Sequence, residues 1–269
     1  KSIREKMDRK GCAFHVLCSL DAIAWTFNLR GRDIDFNPVF ISYAIVTRNK
    51  AMLFMDPRKA TESVQQHLEN LAEIHPYEKI SDCLKSEAEK AAKVWIDPKT
   101  TNKWLMLPVE GKAKVHEERS PVADLKSVKN ETELEGFATC LATDGVAMVR
   151  FLKWLEEEVP KGSVTEISAA DKLETFRRQG EGFAGLSFPT IAGYAEHGAI
   201  IHYQATPESD VPLKTEGLLL VDSGAQYRTG TTDITRTVAL GNPTEEQKEM
   251  FTRVLKGHIG IATLTFPKG

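Results

Sequence analysis

Apolar positions come in two textures along this chain. Up to about residue 122, short apolar runs such as AFHVLCS (13–19), SYAIV (42–46), AMLFM (51–55) and AKVWIDP (92–98) are separated by stretches with helical spacing. That alternation predicts an α/β domain with strands of mixed direction. The stretch before AFHVLCS reads as a helix, and LDAIAWTFNLRG (20–31) reads as another that ends with Gly31 as its C-cap. The polar tetrad Thr47-Arg48-Asn49-Lys50 between two apolar runs predicts a hairpin, and Thr61 to Glu73 predicts an amphipathic helix.

The segment EGKAKVHEERSPVADLKSVKN (110–130) is polar, contains Pro121 and has no sustained apolar period, which places the domain junction there: 1–122 and 123–269. The second part opens with a long predicted helix from Glu131 to Glu158, stopped by Pro160. Its apolar face is drawn through Leu134, Phe137, Ala138, Leu141, Val146, Val149, Leu152 and Leu155. Asn130 with Glu133 offers an N-cap for that helix, and this accounts for the Asn-Glu-Thr sequon without glycosylation. Ser163 and Glu166 suggest a capping box for a further helix running to Gly180. Short strands then follow in GLSFPTIAGY (185–194), GAIIHYQA (198–205) and LLLVDSGAQYRTGTTDITRT (218–237), before a helix opens after Pro243.

The last of these strand pairs carries the candidate chemistry. A hairpin pivoting at Tyr227 and Arg228 sets Asp222 directly opposite Asp233. Directly opposed side chains have Cβ atoms roughly 4.5–5.5 Å apart, where two like charges repel unless a cation lies between them. Carboxylates select hard, oxygen-loving ions, and a facing pair spans the about 3.5–4 Å between the ions of a two-metal hydrolytic site. The same residues also fit a plainer account, with Asp222 forming a turn before Ser223-Gly224 and Asp233 paired with Arg236 at the surface. His202, in a predicted strand beside Ile200 and Ile201, fits either a structural or a functional histidine, while His197 and His258 read as structural.

Composition narrows the classes. Of the 269 residues 41% are apolar and 27% charged, with a formal net charge of -3 and no basic stripe, so neither nucleic acid nor an anionic membrane is an expected partner. Cys12, Cys18, Cys83 and Cys140 lack CxxC spacing and disulfide-scaffold density, which suggests reduced thiols and a cytoplasmic protein. No apolar run reaches the about 18 residues of a membrane span, and KSIREKMDRKG has no signal-peptide core.

HGAIIHYQATPE, LLLVDSGAQYRTGTTDITRTVALGNPT and LKGHIGIA together resemble the metal-binding half of the aminopeptidase P (Xaa-Pro aminopeptidase) family, in its cytosolic eukaryote-like form. SLDAIAWTFNLRGRDIDFNPVFISYAIV is similar to that family's middle domain, and WLEEEVPKGSVTEISAADKLETFRRQGEGFAGLSFPTI to the start of its catalytic domain. The resemblance implies an α/β (α+β) chain: a creatinase/aminopeptidase P-like middle domain followed by the first part of a pita-bread catalytic domain. It further implies two Mn2+ ions, with Asp222 and Asp233 as the first ligands and His202 lining the substrate pocket and holding the scissile peptide. The substrates implied are peptides with proline in second position, and the assembly implied is a homodimer. Prolidase-like and methionine aminopeptidase-like enzymes share the fold and a similar acid pair. Noncatalytic pita-bread modules that bind peptides or histones lack the acid pair.

In the family, a His in an HGxGH-like motif and two Glu residues complete the site. This chain reaches TLTFPKG without them, so the resemblance implies an internal fragment with little peptidase activity by itself.

Overall fold

A computed structural model describes residues 2–267. Contacts divide the chain into two units, Lys1–Glu131 and Thr132–Gly269. The first contains α1 (Ser2–Lys10), β1 (Phe14–Leu17), α2 (Leu20–Phe27), β2 (Ser42–Thr47), β3 (Ala51–Met55), α3 (Glu62–Leu68), β4 (Glu73–Pro76), α4 (Ile80–Lys90), β5 (Lys93–Ile96), α5 (Lys103–Met106), β6 (Lys114–Glu117) and α6 (Pro121–Ser127). Its six strands form one sheet in the order β4-β3-β2-β1-β5-β6. The β1–β2 and β2–β3 pairs are antiparallel and the others parallel, as the mixed pattern predicted.

Both faces of this sheet are covered, which is why its central strands read as unbroken apolar runs. Ala44, Val46, Leu53 and Met55 enter one core with Ile23 and Phe27, while Ile45, Met52 and Phe54 enter the other with Ile80 and Leu84.

Three boundaries differ from the sequence expectation. The junction lies beyond residue 122, because the polar stretch that suggested a linker forms the edge strand β6 and the helix α6, whose Val122 is fully buried in the first unit's core. Helix α2 stops at Asn28, which is left-handed at φ 50°. Gly31 serves close packing instead, since a Cβ there would fall 2.6 Å from Phe40 Cβ. The expected 61–73 helix ends at Leu68, and Glu73 already pairs with Met52 in the sheet.

One polar residue in this unit sets a pH dependence. His15 is fully buried; its Nδ1 donates to Trp95 O at 3.0 Å, and its Nε2 accepts from Ser120 Oγ at 2.9 Å. Ser120 Oγ in turn accepts from Val122 N, so the hydroxyl hydrogen is directed at the ring and the network fits neutral imidazole. Burial pulls the His15 pKa down to about 4, against the hydrogen bond to Trp95 and the charge of Asp97. The unfolded chain takes up this proton first, so the contribution is complete above the ordinary histidine range and is lost as pH falls from about 6.5 towards 4. Denaturant titrations over that window should show the first unit losing on the order of 3 kcal/mol. A His15→Gln variant should lose much less; equal slopes would remove His15 as the cause.

The second unit holds α7 (Glu131–Glu158), α8 (Glu166–Arg177), β7 (Phe183–Leu186), β8 (Ile191–Tyr194), β9 (Leu218–Ser223), β10 (Ala225–Tyr227), β11 (Gly230–Thr231), β12 (Ile234–Ala239) and α9 (Glu245–Ala262). Two three-stranded sheets form, β11-β10-β7 and β12-β9-β8. Helix α7 spans the expected residues, yet its buried face runs through Cys140, Asp144, Ala147, Met148, Phe151 and Leu155. Leu134, Leu141, Val146 and Val149, assigned to that face from their apolarity, are exposed. The face is rotated because a charged residue, Asp144, belongs to the core. The N-cap of α8 is Thr165, reciprocated by Ser168, rather than Ser163 with Glu166. Helix α9 is capped by Thr244 and Gln247 and has no buried residue.

Candidate active site

Strand β9 is the middle strand of its sheet, and its side chains alternate in burial. Leu219 and Val221 enter the core under α7 and α8, so the opposite pleat carries Asp222 away from it. Beyond Ser223 the chain passes from one sheet into the other at Gly224. A Cβ on Gly224 would lie 2.0 Å from Thr232 O and 2.3 Å from Ser187 Oγ, so only glycine permits this crossing. Buried Thr232 fastens it: its N donates to Ala225 O at 2.8 Å, and its Oγ1 accepts from Ala225 N at 2.9 Å. Asp233 is the next residue and is exposed.

The register corrects the expected pairing of the acids. The turn lies at Arg228 and Thr229, because Tyr227 pairs with Gly230, and the partner of Asp222 across the ladder is Thr235. Asp233 thus stands two residues along from direct opposition. It lies in the link between β11 and β12, just outside the ladder that pairs Asp222 with Thr235. Thr235 Oγ1 donates to Asp222 Oδ1 at 2.8 Å, a contact that the apolar pattern gave no reason to seek. Neither plainer account of the acids holds in the described residues. Asp222 lies within a strand paired on both sides, and Arg236 donates to Thr235 O without an ion pair to Asp233.

The two carboxylates offer hard oxygen donors of the kind that divalent cations such as Mn2+ accept. They fit part of a metal centre. Among the described residues no group of three or more His, Cys, Asp or Glu side chains is arranged to hold a metal ion.

His202 also departs from expectation. GAIIHYQA forms no strand: Ala195–Ala199 is a 3-10 turn, and a bond from Tyr203 N to Ile200 O closes a second turn with His202 exposed at φ 59°. Strand alternation therefore says nothing about which way His202 faces. No hydrogen bond or ion pair among the described residues joins it to Asp222 or Asp233.

The histidine read as structural, His197, has the denser surroundings. Its Nδ1 donates to both oxygens of Glu166, at 3.0 and 3.1 Å, and its ring packs 4.6 Å from that of Tyr203. Glu166 itself is fully buried. A cavity of about 540 Å3 between the end of α7 and β12, lined by Leu152, Leu155, Val159 and Val238 among others, includes neither acid nor His202.

Residues 1–133 match the Creatinase/Prolidase N-terminal domain, and residues 135–269 match metallopeptidase family M24. A protein described as "Probable Xaa-Pro aminopeptidase P" from Sordaria macrospora is 44% identical over 99% of this chain, which covers 45% of that protein. The protein of the same description from Laccaria bicolor is 44% identical over 100% of the chain and 42% of its own length. Among solved structures, an X-prolyl aminopeptidase from Caenorhabditis elegans, described as a cytosolic enzyme with a di-nuclear active site, superposes with a TM-score of 0.92. It is 35% identical, and the match covers 100% of this chain and 45% of that one. A prolidase from Pyrococcus furiosus, 20% identical with a TM-score of 0.70 over 94% of this chain and 69% of its own, shares the fold. The chain thus spans less than half the length of the curated relatives it matches.

Proposed function

Because the chain belongs to metallopeptidase family M24, we propose that it supplies the first acids of the metal centre of a manganese-dependent Xaa-Pro aminopeptidase. The observation that carries this reading is Asp222 on the β9–β12 ladder with Asp233 just before β12, in a chain similar over its whole length to proteins of that description. Asp222 and Asp233 would hold metal; His202 would line the substrate pocket. Held by these residues, the ions would supply Lewis acidity, polarising a carbonyl and lowering the pKa of water towards neutral.

The chain's own groups do the positioning. Thr235 orients the Asp222 carboxylate through Oδ1, and the Gly224–Thr232 crossing fixes where Asp233 leaves the ladder. A histidine N–H at His202 would hydrogen-bond the peptide on either side of the scissile bond and steady the charge that develops there. The cytosol and a homodimer are the location and assembly we infer. The C. elegans enzyme is described as cytosolic, and among the described residues no helix is long and apolar enough to cross a membrane.

The test is hydrolysis by the complete protein, with and without Mn2+, of an Xaa-Pro-Xaa tripeptide and an Xaa-Pro dipeptide. Manganese-dependent release of the first residue from the tripeptide alone is expected. Cleavage of the dipeptide alone would mean a prolidase-like enzyme, and peptide binding without cleavage a noncatalytic module.

A further inference from the structure

The turn that carries His202 has little of its own to hold it. Ile201 is 85% exposed, and His202 has a left-handed backbone that a non-glycine residue keeps only where its surroundings impose it. What imposes it lies at the two ends of the segment. Tyr194, the last residue of β8, donates its N–H to Glu166 Oε1 at 2.7 Å. Tyr203, immediately after His202, donates its hydroxyl to Glu166 Oε2 at 2.8 Å. From the middle of the segment His197 donates to the same carboxylate.

One buried side chain therefore gathers the start, middle and end of residues 194–203. Glu166 can do this because it opens α8, where the helix dipole favours a carboxylate and neighbouring bonds pin the backbone. Its N donates to Val211 O at 3.2 Å, and Ile167 N donates to Asp210 Oδ1 at 3.0 Å. The segment also folds tightly on itself: a Cβ on Gly193 would lie 2.9 Å from Gly198 Cα.

We propose that Glu166 is a positioning residue for the aminopeptidase reaction, holding the turn that carries His202 in the conformation in which His202 meets a peptide substrate. This rests on the role proposed above for His202. Glu166 itself touches neither substrate nor metal. Its action passes through Tyr203, one residue away, and through His197, whose ring backs the Tyr203 ring.

The test is a double-mutant cycle in the complete manganese-loaded protein, using Glu166→Gln, His202→Ala and the pair, with an Xaa-Pro-Xaa tripeptide. The amide of Gln presents N–H in place of one accepting oxygen, so one of the three bonds is lost or, at Tyr203, reversed. Glu166→Gln should lower kcat by about 10- to 100-fold, the scale of a misplacement of about 1 Å. KM and manganese affinity should hardly change. In the His202→Ala background the same substitution should have no further effect, and hydrogen exchange in 195–203 should quicken while β9 stays protected.

Equal effects of Glu166→Gln with and without His202 would overturn the positioning role, as would faster exchange with unchanged kcat. Full activity of His202→Ala alone would instead overturn the role of His202, and so the premise. If Glu166→Gln does not fold, Tyr203→Phe removes the hydroxyl that bonds Glu166 and Ser209 and is read in the same way.

Discussion

Replacing Asp222 and Asp233 together by Asn should abolish manganese-dependent turnover by the complete protein, a loss on the order of 10³-fold or more, because both proposed metal carboxylates become neutral amides. Thr235→Val gives the graded comparison. It removes only the hydrogen bond to Asp222 Oδ1 and should weaken metal affinity by about 10- to 100-fold, the usual effect of losing an outer-shell partner. Calorimetric titration of Mn2+ into the wild type and the two variants separates these cases. Tight manganese binding that survives the double substitution would remove the acids from the site. The 269-residue chain by itself should bind Mn2+ weakly, since two carboxylates leave most of an ion's coordination to water.

The largest effect on stability is expected at Asp144. Its carboxylate is 1% exposed and accepts from Arg177 Nε at 2.8 Å, from Arg177 Nη2 at 3.0 Å and from the Tyr227 hydroxyl at 2.9 Å. These bonds join α7, α8 and β10. Burial, with the bond to Asp144, keeps the Tyr227 phenol above its ordinary pKa range, so it remains a donor. Asp144→Ala strands a wholly buried guanidinium and should cost the second unit about 3–5 kcal/mol in denaturant unfolding.

The pair is not worth that much relative to an apolar core. Arg177 Nη1 is buried without a protein partner, and the triple substitution Asp144→Leu, Arg177→Met, Tyr227→Phe should recover most of the loss. Glu157→Ala, which breaks the exposed pair with Lys153, should change stability by no more than about 0.5 kcal/mol. Similar losses at Asp144 and Glu157 would show that burial is not what gives the pair its weight.

Asp144 also marks where the sequence was hardest to read. A hydrophobic stripe locates a helix because apolar side chains repeat with its period, and α7 was found over its whole length on that basis. The stripe cannot say that a charged residue lies at the centre of the buried face, since that depends on Arg177 arriving from another helix. With Asp144 counted as polar, Val146 and Val149 took the place of Ala147 and Met148 in the expected face. Glu166 was misread for a related reason. At the start of a helix, a glutamate is indistinguishable by pattern from a surface cap, and only the fold brings Tyr194, His197 and Tyr203 to it.

The sequence by itself determined the four central strands of the first unit's sheet, the α7 span and the hairpin between β2 and β3, because all of these follow from local periodicity and residue chemistry. Motif resemblance pointed to the family that the comparisons bear out. The tertiary structure decided the rest: that residues 110–127 belong to the first unit, that Asp222 faces Thr235, and that His202 stands on a turn. A two-residue change of register preserves every alternation of apolar and polar positions. The choice between the two registers falls instead to the close crossing of Gly224 on Thr232, a contact between residues that no local pattern relates.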